Sequence, residues 1–276
     1  MKFKHKRPEY CEVEAVVPEA KGGVRFGSSD YANTVPLVYC LKDVFPGGRL
    51  VKRVPSAMPG MLHGDSVDVA LVPVGALLGD DRLEMLPGVG VCARAAVLSV
   101  LIKLYKPLSE VRRVRMDAAS RTSNALARII FRRQHGLQVE MIGGHDGGAV
   151  DAEVMIGDKA LGSAPAPCGD VDLGEAWNRL TGLPFVFAVW ACRAGDPRNR
   201  EYAGIVQRAR DAGVVALAEI VGEESRRLGL AQELCREYLA ERIHYTVGQR
   251  EVEAMKLFGE MLREEGGMPM VRGDRV

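Results

Sequence analysis

The run TGLPFVFAVWA, Thr181 to Ala191, constrains the fold more than any other stretch of the chain. It opens as a turn on Gly182 and Pro184, then continues as Phe, Val, Phe, Val and Trp with no charge on either face. A half-buried strand alternates apolar and polar residues. This one does not, so it must be covered on both sides, as central strands of parallel sheets are.

Other strands alternate with helical segments from Val24 onward: VRFG from Val24, LVKRV from Leu50, DVALVPV from Asp68, AVLSVLIKL from Ala96, RRVRM from Arg112 and AEVMIG from Ala152. That alternation is the mark of α/β units. After Pro197 the pattern turns helical, and Val252, Met255, Phe258, Met261 and Leu262 recur at helical spacing in the last segment. Gly213, Gly229 and Gly266 punctuate the ends of these helices, as left-handed caps would. Two apolar strands, AVLSVLIKLYKPL and LPFVFAVWA, are long enough to cross between two lobes. The expected architecture is therefore two α/β lobes around a cleft, with the last helices returning to the first lobe; such clefts are favoured ligand sites. The expected division is an N-terminal extension over 1–21, lobe I over 22–97 and 188–276, and lobe II over 98–187.

Composition removes several functions. A net charge of +1 and the lack of a basic stripe interleaved with aromatics argue against nucleic acid as a partner. The basic opening MKFKHKRPEY lacks an apolar segment behind it and reads as a solvated tail, not a signal peptide. No apolar run approaches the roughly 20 residues of a membrane span. The six cysteines form no C-x-x-C pair, which suits reduced thiols in the cytoplasm, and the five histidines show no zinc-binding spacing, so no metal is expected. P-loop, dinucleotide and nucleophile-elbow signatures are missing, so no cofactor is expected.

Polar turns at strand ends carry the candidate chemistry. In DAASRTSNALARIIFRRQHG, a strand precedes SRTS and a helix follows it. Ser120, Thr122 and Ser123 bring hydroxyls, Arg121 a full charge, and the helix N-terminus a partial one. The turn is either a carboxylate or phosphate site or an ordinary N-cap by Ser120 with a solvated Arg121. GSSDYANTVPLVYCL has the same layout, with Asp30, Tyr31, Asn33 and Thr34 at the mouth of the first strand. Ser99 is a lone hydroxyl in an apolar strand and wants a partner. Asp158, in IGDKALGS, reads as a helix cap or as a cleft carboxylate; Trp177 reads as core or as cleft lining.

YANTVPL, SRTSNAL, IGDKAL, DLGEAW and TGLPFVFAVWA together resemble the menaquinone-biosynthesis protein family, in its chorismate dehydratase branch, over roughly Val24 to Met268. The resemblance implies a type 2 periplasmic-binding-protein fold with two crossover strands and a helical C-terminal region. It implies a lyase that removes water from chorismate in the futalosine pathway, giving 3-[(1-carboxyvinyl)oxy]benzoate. By position it places the family's active-site asparagine on Asn33 and its cleft serine on Ser99, with SRTS holding a substrate carboxylate. Candidate catalytic residues are thus Asn33, Ser99 and Asp30; candidate substrate contacts are Tyr31, Ser120, Arg121, Thr122, Ser123 and Asp158. The base is either Asp30 or the substrate's own enolpyruvyl carboxylate. The chain departs from the family pattern at Asp30, at Val74 to Leu77 where a glutamate and a tyrosine are usual, and at Ala95 to Val97. A carboxylate lost at Ala76 and gained at Asp30 would be a compensating pair. A sister-branch enzyme of the same pathway and a cleft-binding protein without catalysis are the alternatives.

Overall fold

The computed structural model describes residues 23–143 and 148–268. The expected N-terminal extension, with His5 and Cys11, and His145 lie outside the described residues. Eleven strands are described: β1 (Arg25–Ser28), β2 (Arg49–Lys52), β3 (Val69–Pro73), β4 (Leu83–Ala93), β5 (Val100–Leu104), β6 (Arg113–Arg115), β7 (Glu140–Ile142), β8 (Ala152–Ile156), β9 (Asp170–Asp172), β10 (Phe185–Arg193) and β11 (Ile243–Thr246). The five longer helices are α1 (Arg121–His135), α2 (Leu173–Thr181), α3 (Asn199–Val215), α4 (Leu217–Leu228) and α5 (Gln249–Glu264).

The strands form two sheets, ordered β2-β1-β3-β10-β4-β11 and β7-β6-β8-β5-β9. Each sheet begins with three parallel strands and then accepts one strand that runs against both its neighbours. That strand is the one arriving from the other lobe: β10 in the first sheet and β5 in the second. The opening run is therefore central and buried, as its composition requires, but it is antiparallel to β3 and β4 rather than part of a wholly parallel sheet. The reason is the route of the chain. β4 leaves for lobe II at Ala93, and β10 returns at the same place, where Phe185 pairs with Ala93, so the two must run in opposite directions.

The first crossing is a loop, not the long strand that AVLSVLIKL suggests. Only Val100–Leu104 is extended, because Leu98 takes a left-handed φ of 64°. The Asp172 carboxylate holds the loop, accepting from the N–H groups of Val97 and Leu98, and also caps α2 through those of Gly174 and Glu175. One carboxylate thus fixes the first crossing and the helix that leads into the second.

Aromatic side chains pack around the second crossing. Trp177 stands edge-on to Phe185 and Phe258, and its Nε1 donates to the Pro184 carbonyl at 3.0 Å, so it is core and not cleft lining. Burying each such ring contributes about 1.5–3 kcal/mol. On the far side of β10, Trp190 packs against Phe26 of β1.

Gly229 and Gly266 adopt positive φ at helix ends, as expected. Gly213 does not: it lies inside α3, where an added Cβ would fall 1.7 Å from the Pro36 carbonyl oxygen. Its smallness serves a close helix approach rather than a cap. The final helix does more than return to lobe I. From the end of α5, Glu264 pairs with Arg133 of α1, and the buried Glu265 carboxylate pairs with Arg132 at 2.9 Å. Among the described residues, no helix is long and apolar enough to cross a membrane.

Candidate active site

A cleft opens where the two sheets meet. The first polar turn supplies Ser29, Tyr31, Asn33 and Thr34; β3, β4 and β10 supply Leu71, Pro73, Val91, Phe187 and Ala188. Lobe II supplies Val100 of β5, Ser120 and Ser123 at the start of α1, and Ile156 and Gly157 at the end of β8. The wall is thus a set of hydroxyls and one amide on an apolar ground. Among the described residues no Asp, Glu, His, Lys or Arg side chain lines it.

SRTS is a helix cap whose two serine hydroxyls also border the cleft. Ser120 caps α1, its Oγ accepting from the Ser123 N–H at 3.1 Å and bonding the Ser123 Oγ at 2.9 Å. Both hydroxyls nonetheless reach the cleft. The N–H groups of Arg121 and Thr122 come before any intrahelical acceptor, and with the helix dipole they suit an anion. Thr122 is buried and turned toward the other lobe, where its Oγ1 accepts from the Gly75 N–H at 3.0 Å. Arg121 does not line the cleft, and its Nε is enclosed without an acceptor.

Asn33 and Tyr31 lie on the wall, as expected. Burial, with the negative charges of Asp117 and Asp158 nearby, pushes the Tyr31 phenol up to about 12, so it stays protonated near neutral pH. Asp30 is not brought to the cleft. Its side chain is 64% exposed and pairs with Lys52. Ala76 packs against the small apolar cluster of Met58, Leu62 and Val72, also away from the cleft. The proposed exchange of carboxylates between Ala76 and Asp30 therefore finds no support in the geometry: neither position borders the cavity.

Ser99 is fully buried just behind Val100, and its Oγ accepts a 2.7 Å hydrogen bond from the Tyr238 hydroxyl. Asp158 is neither a helix cap nor a cleft carboxylate. The cap position before it is Gly157. The Asp158 carboxylate instead accepts from the Ala32 N–H at 2.9 Å and from Arg227 of α4 at 2.7 Å, tying lobe II to the turn that carries Asn33. Sequence reasoning missed Tyr238 altogether, because its segment reads only as one more amphipathic helix.

Similarity to known proteins agrees with this picture. Two relatives are each named a chorismate dehydratase. That of Thermus thermophilus is 30% identical over 264 residues, covering 86% of this chain and 94% of its own. That of Campylobacter jejuni is 29% identical over 240 residues, covering 84% and 95%. Among solved structures, the chain is similar to a protein of Archaeoglobus fulgidus (TM-score 0.66, 16% identity, 90% of this chain and 99% of that one). It is likewise similar to the periplasmic aliphatic sulphonate binding protein SsuA of Escherichia coli (TM-score 0.61, 15% identity, 91% and 95%). At such identities the likeness is of fold, and that fold is the two-lobed one of periplasmic binding proteins. The family model for menaquinone biosynthesis matches residues 24–264, from β1 to the end of α5, and the chain belongs to that family.

Proposed function

We propose that this protein is a chorismate dehydratase, a carbon–oxygen lyase that removes water from chorismate to leave 3-[(1-carboxyvinyl)oxy]benzoate. The observation that carries the reading is the name shared by two relatives that match nearly end to end. The cleft supports it with a wall suited to the chemistry.

Elimination breaks two bonds on adjacent ring carbons. A base takes the proton from the carbon bearing the enol ether, and that C–H electron pair forms the new ring double bond. The neighbouring C–O bond breaks, and the departing hydroxide takes a proton to become water. The new double bond completes an aromatic ring, so the step runs downhill and asks for orientation and electrostatics more than for a strong base. Ser120, Ser123 and the first N–H groups of α1 hold one carboxylate. Asn33 presents an amide that neither gains nor loses charge. With no carboxylate or imidazole on the described wall and the Tyr31 phenol held protonated, the base is the substrate's enolpyruvyl carboxylate.

Purified protein should convert chorismate to the aromatic enol ether without added metal or nucleotide, followed by chromatography. Asn33→Ala should lower kcat by a factor of 100 or more, on the order of 3 kcal/mol of barrier. Asp30→Asn should keep kcat within about twofold. Because no wall group titrates near neutrality, kcat should be flat from about pH 6 to 9. A limb near 6.5 would point to a histidine base, and no turnover by the unaltered protein would end the dehydratase reading.

A further inference from the structure

Tyr238 does not reach the cleft, yet it touches Ser99 and the turn that carries Asn33, the two residues on which the family resemblance places the active-site serine and asparagine. It lies in Glu237–Arg242, a single turn of π-helix that runs straight into β11. Such turns are rare, and the extra residue re-aims a side chain, which is why they collect at functional sites. Here the re-aimed side chain is a phenol with 0% exposure. Its hydroxyl donates to Ser99 Oγ at 2.7 Å, and Ser99 is equally enclosed. The π turn also packs on Ala32–Thr34, the turn that places Asn33 on the cleft wall. Burial raises the pKa of the same phenol, and Asn33, on that turn, pulls it the other way.

The hydrogen inventory gives this cluster a direction. A phenol is a stronger acid than an alcohol, so the Tyr238 hydrogen goes to Ser99. The phenol oxygen is then left to accept, and of the two ends of the Asn33 amide only the NH₂ can donate to it. The Ser99 hydrogen is free to donate onward. Ser99 alone does not impose that sense, since a hydroxyl can rotate.

We propose that Tyr238 is a positioning residue for the elimination: its buried hydroxyl fixes the hydrogen-bond sense of Ser99, and the turn that carries it holds Asn33 in place on the cleft wall. The proposal rests on the dehydratase reading for its substrate, but not for its geometry. Burial holds the phenol well above its ordinary pKa, so it keeps its hydrogen throughout the working range.

The test is a double-mutant cycle of Tyr238→Phe, Ser99→Ala and the pair, with chorismate as substrate, joined to a crystal structure of Tyr238→Phe. Removing one oxygen should lower kcat at least tenfold and leave KM within about threefold. The pair should be no more than twofold slower than the slower single variant, because both changes cut one unit. In the crystal, Ser99 Oγ or the Asn33 amide should leave its native position. Additive losses, an unchanged kcat, or a lowered melting temperature with native kcat and KM would each overturn the proposal. An unaltered protein without turnover would instead defeat the dehydratase reading, and the crystal structure would still decide: native positions for Ser99 and Asn33 in Tyr238→Phe would overturn the role of Tyr238 by themselves.

Discussion

Gly157 shows how tightly single residues shape the cleft. It closes β8 at φ 71°, ψ −154°, a region that only glycine occupies without strain. A Cβ there would also fall 2.7 Å from the Tyr31 ring, which packs on the bare backbone. Gly157→Ala should therefore cost about 1–3 kcal/mol of stability and push Tyr31 off its seat, raising KM for chorismate severalfold. Thermal melting and steady-state kinetics check both parts; a native KM would mean that the Tyr31 seat does not matter to binding. How far such residues could be read beforehand depends on how local their partners are. Ser120 was legible as a cap because its partner is three residues away. Asp158 was not, because the groups that claim its carboxylate are 126 and 69 residues distant. Tyr238 was least legible, since its partner Ser99 is 139 residues away and the extra residue of a π turn leaves no mark in an amphipathic pattern.

Short strands of lobe II depend on a carboxylate at an element boundary. Asp151 stands just before β8 and accepts from the N–H groups of Arg112 and Arg113, both at 2.9 Å, which pins the start of β6 beside it. Its other oxygen pairs with Lys106 at 2.6 Å. The Lys106 bond first, then the two backbone donors, outweigh desolvation and hold the carboxyl at about 2, below its ordinary 3.8. A carboxyl with a lowered folded-state pKa stabilises the protein above its unfolded value and loses that contribution as pH falls through the folded one. Asp151→Asn should thus lower the melting temperature at pH 7, and the gap to the native chain should close between about pH 4 and pH 2. A gap that persists undiminished at the acid end would show that its charge does not matter. The element scale also marks where pattern reading stopped. The burial of β10 followed from composition, but its direction followed from the route of the chain, which no local pattern encodes. β4 escaped notice because Pro87, Gly88 and Gly90 interrupt its hydrophobic run. β11 was absorbed into a helix because the helical spacing of the preceding residues continues to Ile243.

Across the whole molecule, the contacts between lobes are unequal on the two sides of the hinge. On one side α5 is a strap: it packs on β10 through Phe258 and Phe185, and its end is ion-paired to α1 through Glu264 and Glu265. On the cleft side, the direct bonds described between the lobes include that of the Tyr238 hydroxyl to Ser99. The Asp158 carboxylate spans from lobe II to the Ala32 N–H and Arg227, and Thr122 accepts from Gly75. Where two lobes exchange between open and closed states, apparent affinity falls as the closed fraction falls. Bonds to charged groups in partly buried settings contribute about 1.5–3 kcal/mol, so the Asp158 bridge is large enough to govern that balance while the strap holds the hinge. Asp158→Asn keeps the shape but weakens both bonds. Losing about 1.4 kcal/mol of closing free energy would raise KM about tenfold. kcat should change less, since the molecules that do close still assemble the same wall. The free variant should also show a larger radius of gyration by small-angle scattering, and saturating chorismate should restore the native value. A raised KM with an unchanged radius of gyration would place Asp158 in direct contact with substrate instead, which the position of its carboxylate between Ala32 and Arg227 argues against.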